Sequence, residues 1–326
     1  MLQYAQHLTD NAGRMVILRM IPPREMSAQS LEKLRREVQE IGALPTLPEI
    51  PMRILELIAD EKSSMEDISK LVERDPSLTA NILKVANSAY YGVRQRVASL
   101  KLALAILGFN EIINIVTSIS VVRIFPSHGR SASFDRNKFW KHSFGCASAA
   151  QMLARELRFE TAGVDFVAGL LHDIGKLVMD QYFHPKLREI WSMKEKEGTP
   201  LLVAEEQVMG ADHAVLGSWL AGSWNLPPVL AESITYHHRP LDVLALPTPS
   251  EKPALAAIIH LADILACEPE LNFTETAEAS QSFGDNLAWK IILAERPDLG
   301  RDALERFMGK YEEYREKVSA LVLAVS

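Results

Sequence analysis

The chain has only two cysteines, Cys146 and Cys267, in 326 residues, which excludes a disulfide framework. Each lies in an apolar helical pattern, so both are expected as buried free thiols in a reducing compartment. Positive charge is also scarce: 35 Lys and Arg face 42 Asp and Glu, for a net charge of -7. A large sequence-independent nucleic-acid surface is therefore not expected. The N-terminus lacks an apolar core of the signal-peptide kind. The longest apolar region, 99–125, is interrupted by Lys101, Gly108, Asn110, Glu111 and Asn114, and predicts two core helices rather than a membrane span. A cytoplasmic protein with no membrane partner is the expectation. Strand-like alternation is nearly missing as well; Val16, Ile17 and Leu18 form the one brief exception.

Helical periodicity is abundant. Leu31, Leu34, Val38 and Ile41 make a helical stripe ended by Gly42. Leu44-Pro45-Thr46-Leu47-Pro48 predicts a rigid extended link, because proline disfavours helix in the residue before it. A helix follows through Ile50, Ile54, Leu55 and Ile58. Ser64 with Asp67 resembles a capping box, and Asp75-Pro76 supplies an N-cap with proline at the first helical position. The two short helices resemble a helix-turn-helix in outline, but the second offers Lys84 as its only base, so DNA is not an expected partner. Long helices are predicted at 134–157 and 164–183, and shorter ones at 185–197, 200–209, 212–224, 227–238 and 252–266. Residues 268–283 look like a polar connection before two or three terminal helices. The fold class is all-α.

The histidines carry the chemistry. His7, His128 and His184 are assigned no role. The other six fall in the helical region 134–266: His142, His172 beside Asp173, His213, the pair His237-His238, and His260 nearly one turn before Asp263. The His172-Asp173 pair closes an apolar stretch (Val164, Phe166, Val167, Leu170, Leu171), so its polar atoms emerge from buried structure. An imidazole nitrogen and a carboxylate oxygen offered to one point form a corner for a divalent metal. Helices of a bundle can each project one or two such groups inward. Left uncompensated, such a cluster is costly to bury, and either a metal or a dense hydrogen-bond network would satisfy it.

These residues resemble a known superfamily. His142, His172-Asp173 and Asp263 are similar to the H…HD…D signature of HD phosphohydrolases. His213 and His237-His238 resemble the additional histidines of the HD-GYP branch, which are cyclic di-nucleotide phosphodiesterases. That branch continues into a Gly-Tyr-Pro loop, whereas this chain continues Arg239-Pro240-Leu241-Asp242. The front half is closer to the HDOD family, the HD-related output domain. The resemblance rests on Asp75-Pro76-Ser77-Leu78 through Asn87-Ser88-Ala89-Tyr90-Tyr91-Gly92, on Ser99-Leu100 through Leu107-Gly108-Phe109, on the link at 44–48, and on Trp224-Asn225-Leu226-Pro227. It covers about residues 36–266.

The resemblance implies an N-terminal helical lobe packed on an HD-like bundle, and bacterial signal transduction. It divides the chain into an extension (1–35), an HDOD domain (36–266, with the lobe at 36–130 and the bundle at 131–266) and a C-terminal helical segment (267–326). Most of the family is degenerate at the metal positions and is regarded as output or scaffold modules, yet this chain keeps nearly the full HD set. The first expectation is thus a regulatory protein with a divalent-metal site, acting on a signalling protein or nucleotide ligand. The alternative is a metal-dependent phosphohydrolase or cyclic di-nucleotide phosphodiesterase. The implied metal set is His142, His172, Asp173, His213, His237, His238 and Asp263, with Asp173 bridging. In the enzymatic alternative Asp173 and Lys176 are catalytic, Lys176 reaching a phosphate oxygen; otherwise Lys176 is an ordinary exposed helix lysine. Arg239 either meets a phosphate or lies in solvent, and His260 is expected to be structural. Fe or Mn is the expected metal, with Ni, Zn or Mg as further options. The terminal helices suit either a homodimer contact or a cap on the bundle.

Overall fold

Local chemistry sets the helix boundaries in the front half, and a computed structural model gives the result for residues 28–40, 44–58, 65–126, 134–161, 163–246, 253–266 and 286–299, with short pieces of 306–325. Helices α1 (Ala28–Glu40), α2 (Glu49–Ile58) and α3 (Met65–Glu73) lead into α4 (Pro76–Ala86). The Asp75 carboxylate accepts a hydrogen bond from the Leu78 amide at 2.9 Å, with Pro76 at the first helical position. A cap of this kind contributes about 1 kcal/mol. Ser64, Val16–Leu18, Cys267 and the connection at 268–283 lie outside the described residues.

The apolar region at 99–125 forms two helices, α5 (Leu100–Leu107) and α6 (Phe109–Ile124), bent by 119° across Gly108. Gly108 has φ +85°, a backbone state glycine reaches without strain. Among the described residues no single helix is long and apolar enough to cross a membrane, and there is no strand. Helices α2, α4 and α5 pack on α6, whose middle is wholly buried.

The second half is a bundle around α7 (Arg136–Glu156). Helix α8 (Asp165–Leu171) lies against α7, and α9 (Ile174–Tyr182) runs on from it; α10 (His184–Glu197), α11 (Leu201–Met209), α12 (His213–Ser223) and α13 (Pro228–Tyr236) follow. After a 3₁₀ turn at Pro240–Ala245, α14 (Ala254–Ala266) returns along α7, and α15 (Ala288–Glu295) covers α14. Helix α9 packs on α12, and α12 on α13.

The segments that carry the family resemblance are the ones that fasten the two halves. Trp224 Nε1 donates to the Pro45 carbonyl at 2.6 Å, holding the proline link against the bundle. Asn87 exchanges hydrogen bonds with Val97 (2.8 and 2.9 Å) and closes the loop after α4. Tyr90 Oη lies 3.2 Å from Ser148 Oγ on α7, and Tyr91 Oη donates to Glu111 at 3.1 Å.

One predicted element needs correction. The continuous helix expected at 164–183 breaks at His172-Asp173 into α8 and α9. On an unbroken helix, neighbouring side chains diverge by about 100°. The break turns His172 and Asp173 toward one point.

Candidate metal centre

The seven donors are delivered by five stretches of backbone. His142 projects from α7; His172 and Asp173 occupy the α8–α9 break; His213 opens α12; His237 and His238 close α13; Asp263 lies on α14. The donors form two groups. His142, His172 and Asp263 make one; Asp173, His213, His237 and His238 make the other, and within each group one donor atom per residue lies within 4.8 Å of every other. Asp173 spans both. Its Oδ2 is 3.3 Å from His172 Nε2 and 3.5 Å from His142 Nε2, while its Oδ1 is 3.0 Å from His213 Nε2 and 3.6 Å from His237 Nε2. Asp263 Oδ1 adds contacts of 3.1 Å to His142 Nε2 and 3.5 Å to His172 Nε2. All seven expected donors are therefore brought together; only His238 is more than slightly exposed.

The opposite ring nitrogens decide what the inward ones offer. His172 Nδ1 is 2.7 Å from the Gly169 carbonyl, and His237 Nδ1 is 2.7 Å from the Ile234 carbonyl. His213 Nδ1 is 2.7 Å from Glu205 Oε2. Facing an acceptor, each Nδ1 carries its hydrogen, so in the neutral ring Nε2 presents a lone pair. In the His213–His237 pair both lone pairs face one another, Nε2 to Nε2 3.4 Å; His142 Nε2 lies 3.3 Å from His172 Nε2, and His238 Nε2 lies 2.9 Å from His213 Nε2. Asp173 Oδ1, fully buried, accepts no hydrogen bond despite its neighbours. Converging lone pairs around an unsatisfied carboxylate oxygen repel one another unless a cation or protons lie between them. A divalent metal fits this donor set, and the imidazole majority favours Fe, Mn, Ni or Zn over Mg.

Protons occupy part of that role when metal is missing. Burial pushes the His172 ring toward neutrality, but Asp173 and the nearby Cys146 outweigh it and raise its pKa well above the usual range. Burial acts the same way on His142, and hydrogen bonding to Asp173 and Asp263 again prevails upward. Asp173 is pushed up by burial, yet His172 and Lys176 hold it well below the carboxylate range; the two histidines do the same for Asp263. His237 is pushed down to about 3 by burial and then by His238, so it stays neutral. Metal uptake near pH 7 should therefore expel protons from His142 and His172, and affinity should fall as the pH drops, because protons compete for the same Nε2 atoms. Calorimetric titration with a divalent metal in two buffers of different ionisation enthalpy measures this release; identical heats in both would contradict the protonation pattern.

Lys176 is not the ordinary exposed helix lysine that was one of its two expected roles. It is 2% exposed, and its Nζ lies 2.7 Å from Asp173 Oδ2, so it neutralises the spanning carboxylate. Arg239 is also engaged, its Nη2 3.2 Å from Asp212 Oδ2. His260 turns away from the cluster: Nδ1 meets the His237 carbonyl at 2.7 Å and Nε2 meets Asn286 at 3.1 Å. It fixes the backbone that carries His237.

Glu205 was missed by sequence reasoning. Its Oε2 accepts from both the backbone amide (2.9 Å) and Nδ1 of His213, in a site 1% exposed. The signal was present: Glu205 falls midway between Leu201 and Met209, at four-residue spacing on the buried face of α11. A carboxylate behind a ligating histidine fixes its tautomer and raises its basicity.

Comparison with known proteins agrees with this architecture. The HDOD domain family model matches residues 44–240. An uncharacterized protein of Treponema pallidum is 26% identical over 227 residues, covering 68% of this chain and 43% of its own length. The chain thus spans less than half the length of the curated relatives it matches. Among solved structures, an HDOD domain protein of unknown function from Geobacter sulfurreducens superposes with TM-score 0.76 at 25% identity, covering 89% of this chain and 99% of that one. A protein from Shewanella amazonensis, named as a candidate phosphohydrolase, superposes with TM-score 0.67 at 24% identity over 92% of this chain and 99% of its own.

Proposed function

This chain belongs to the HDOD domain family, and we propose that it is a signal-transduction protein built around a buried divalent-metal centre, acting by binding rather than by turnover. The observation that carries the reading is the convergence of inward Nε2 atoms on the two oxygens of Asp173. His142, His172, Asp263 and one oxygen of Asp173 would hold one metal; His213, His237, His238 and the other oxygen would hold a second. Bound there, the metal supplies positive charge that ties α7, α9, α12, α13 and α14 into one body. The chain's own residues prepare it: Gly169, Ile234 and Glu205 orient three of the rings, and Lys176 fixes Asp173.

Binding is favoured over turnover because the two cations nearest the centre are already committed, Lys176 to Asp173 and Arg239 to Asp212. A phosphate substrate also needs a path to the metal, and most of the donors are fully buried. One observation favours the second reading, a metal-dependent phosphohydrolase: a single carboxylate offering an oxygen to each of two donor groups is the arrangement a two-metal site requires. Metal identity bears on the choice. Four protein donors saturate a tetrahedral ion, whereas a six-coordinate Fe or Mn keeps open positions.

Protein purified without chelator is expected to contain at least one tightly held first-row metal per chain, measured by elemental analysis. Cyclic di-nucleotides and generic phosphodiesters, assayed with Mn and Fe added, are expected to persist. Hydrolysis that disappears in His172→Ala would replace the first reading with the second, and metal-free protein of normal stability would remove both.

A further inference from the structure

Apart from the metal centre, a cavity of about 490 Å³ lies where the front helices, α7 and the C-terminal pieces meet. We propose that this cavity binds a nucleoside phosphate, its base held among Tyr90, Tyr91, Glu111 and Gln151 and its phosphate at Arg155 and Lys317. The size lies in the ~300–1,000 Å³ range of small-molecule sites. The proposal does not depend on the metal reading, since none of the metal donors lines this space.

The walls divide by chemistry. Tyr90 and Tyr91 have ring centroids 4.9 Å apart and planes at 85°. Their hydroxyls are tied down, to Ser148 and Glu111, so the rings are fixed before any ligand arrives. Aromatic faces of this kind accept a planar base whatever its sequence identity. Beside them, Glu111 accepts at 2.7 Å from the Gln151 amide, which leaves an acid–amide pair at the wall. A carboxylate and an amide together can meet both donors and acceptors on the edge of a base. Cations line the same cavity. Arg155 makes no ion pair among the described residues, and Lys310 neutralises Glu156, the nearby acid, through contacts of 2.8 Å to both carboxylate oxygens. Arg155 and Lys317, which both line the cavity, offer the forked donors and charge that a phosphate accepts.

The placement gives the regulatory reading a physical route. Gln151 and Arg155 lie on α7, the helix that delivers His142, and Gln151 is only about 14 Å along the axis from it. A ligand seated on α7 therefore bears on the helix that holds one wall of the metal centre.

Titration calorimetry on the full chain as purified tests the proposal, with AMP, GMP, CMP and UMP as probes and with inorganic phosphate and the free nucleosides as controls. At least one nucleoside monophosphate is expected to bind, with phosphate alone and nucleoside alone each at least ~10-fold weaker. Arg155→Ala and Lys317→Ala, both at exposed positions, should keep the wild-type melting temperature and each weaken binding by about 10-fold. Gln151→Leu should change the ranking among the bases. Elemental analysis of the same preparations separates this proposal from the metal reading: the cavity variants should lose nucleotide affinity while keeping the wild-type metal content. No binding by any monophosphate up to about 1 mM would overturn it. So would inorganic phosphate binding as tightly as the nucleotides, or full affinity in the Arg155→Ala, Lys317→Ala double variant.

Discussion

Stripping the metal with a strong chelator is expected to lower the melting temperature by roughly 10 °C. A ligand held at about a thousand times its Kd adds about 4 kcal/mol to the folded state, and a domain of this size shifts by about 2–4 °C per kcal/mol. The loss should be large here because the site is buried where five helices meet. Protons on His142 and His172 replace the metal only in part, since His237 stays neutral. Two variants sharpen the test. His238→Ala removes one donor at the least buried corner, so it should reduce metal loading with little further loss of stability in the metal-free protein. Asp173→Ala removes the carboxylate common to both donor groups and deprives buried Lys176 of its partner, a change that typically costs about 3–5 kcal/mol. Differential scanning calorimetry with and without chelator distinguishes the two. A chelated protein that melts at the wild-type temperature would show that the cluster is held by hydrogen bonds alone.

Gly175→Ala should be comparably damaging although it changes no donor. A Cβ on Gly175 would lie 1.9 Å from the His213 carbonyl oxygen and 2.8 Å from the Gly217 amide nitrogen. Both are backbone atoms, so no side chain can swing aside. Helices α9 and α12 would have to separate by more than 1 Å to restore contact distance, and overpacking of this kind costs about 3 kcal/mol or more. The separation also carries His213 away from Asp173, whose Oδ1 now lies 3.0 Å from His213 Nε2. The variant should therefore lose metal as well as stability. Gly222→Ala is the matched control: it lies on the same α12, is exposed, and a Cβ there meets nothing within 4 Å. Replacing an exposed helical glycine should raise stability by about 0.5–1 kcal/mol. Equal effects from the two substitutions would refute the close-approach argument.

Much of this was legible in the chain. Apolar residues at helical spacing located the bundle helices to within a few residues, because that spacing is a local property of the backbone. The Asp75-Pro76 start is visible in two letters and appears as a cap with its expected hydrogen bond. The seven donors were nameable because histidines embedded in apolar helices are expensive unless satisfied, and because their order resembles a known signature. Glu205 was less visible, since one acid in an apolar stripe does not announce its partner eight residues later.

The sequence by itself determined an all-α bundle, helix boundaries and a pool of imidazoles and carboxylates on buried faces. Those follow from periodicity, capping and the cost of burying polar groups, all of which act over a few neighbouring residues. Tertiary structure alone decided how the pool is used. The break at His172-Asp173 aims adjacent side chains at one point. The contact of Gly175 with the His213 backbone sets the distance across the site. Lys176 is turned inward onto Asp173 rather than out toward solvent. Each depends on two helices distant in sequence meeting at a fixed separation, and no local pattern of residues encodes that separation.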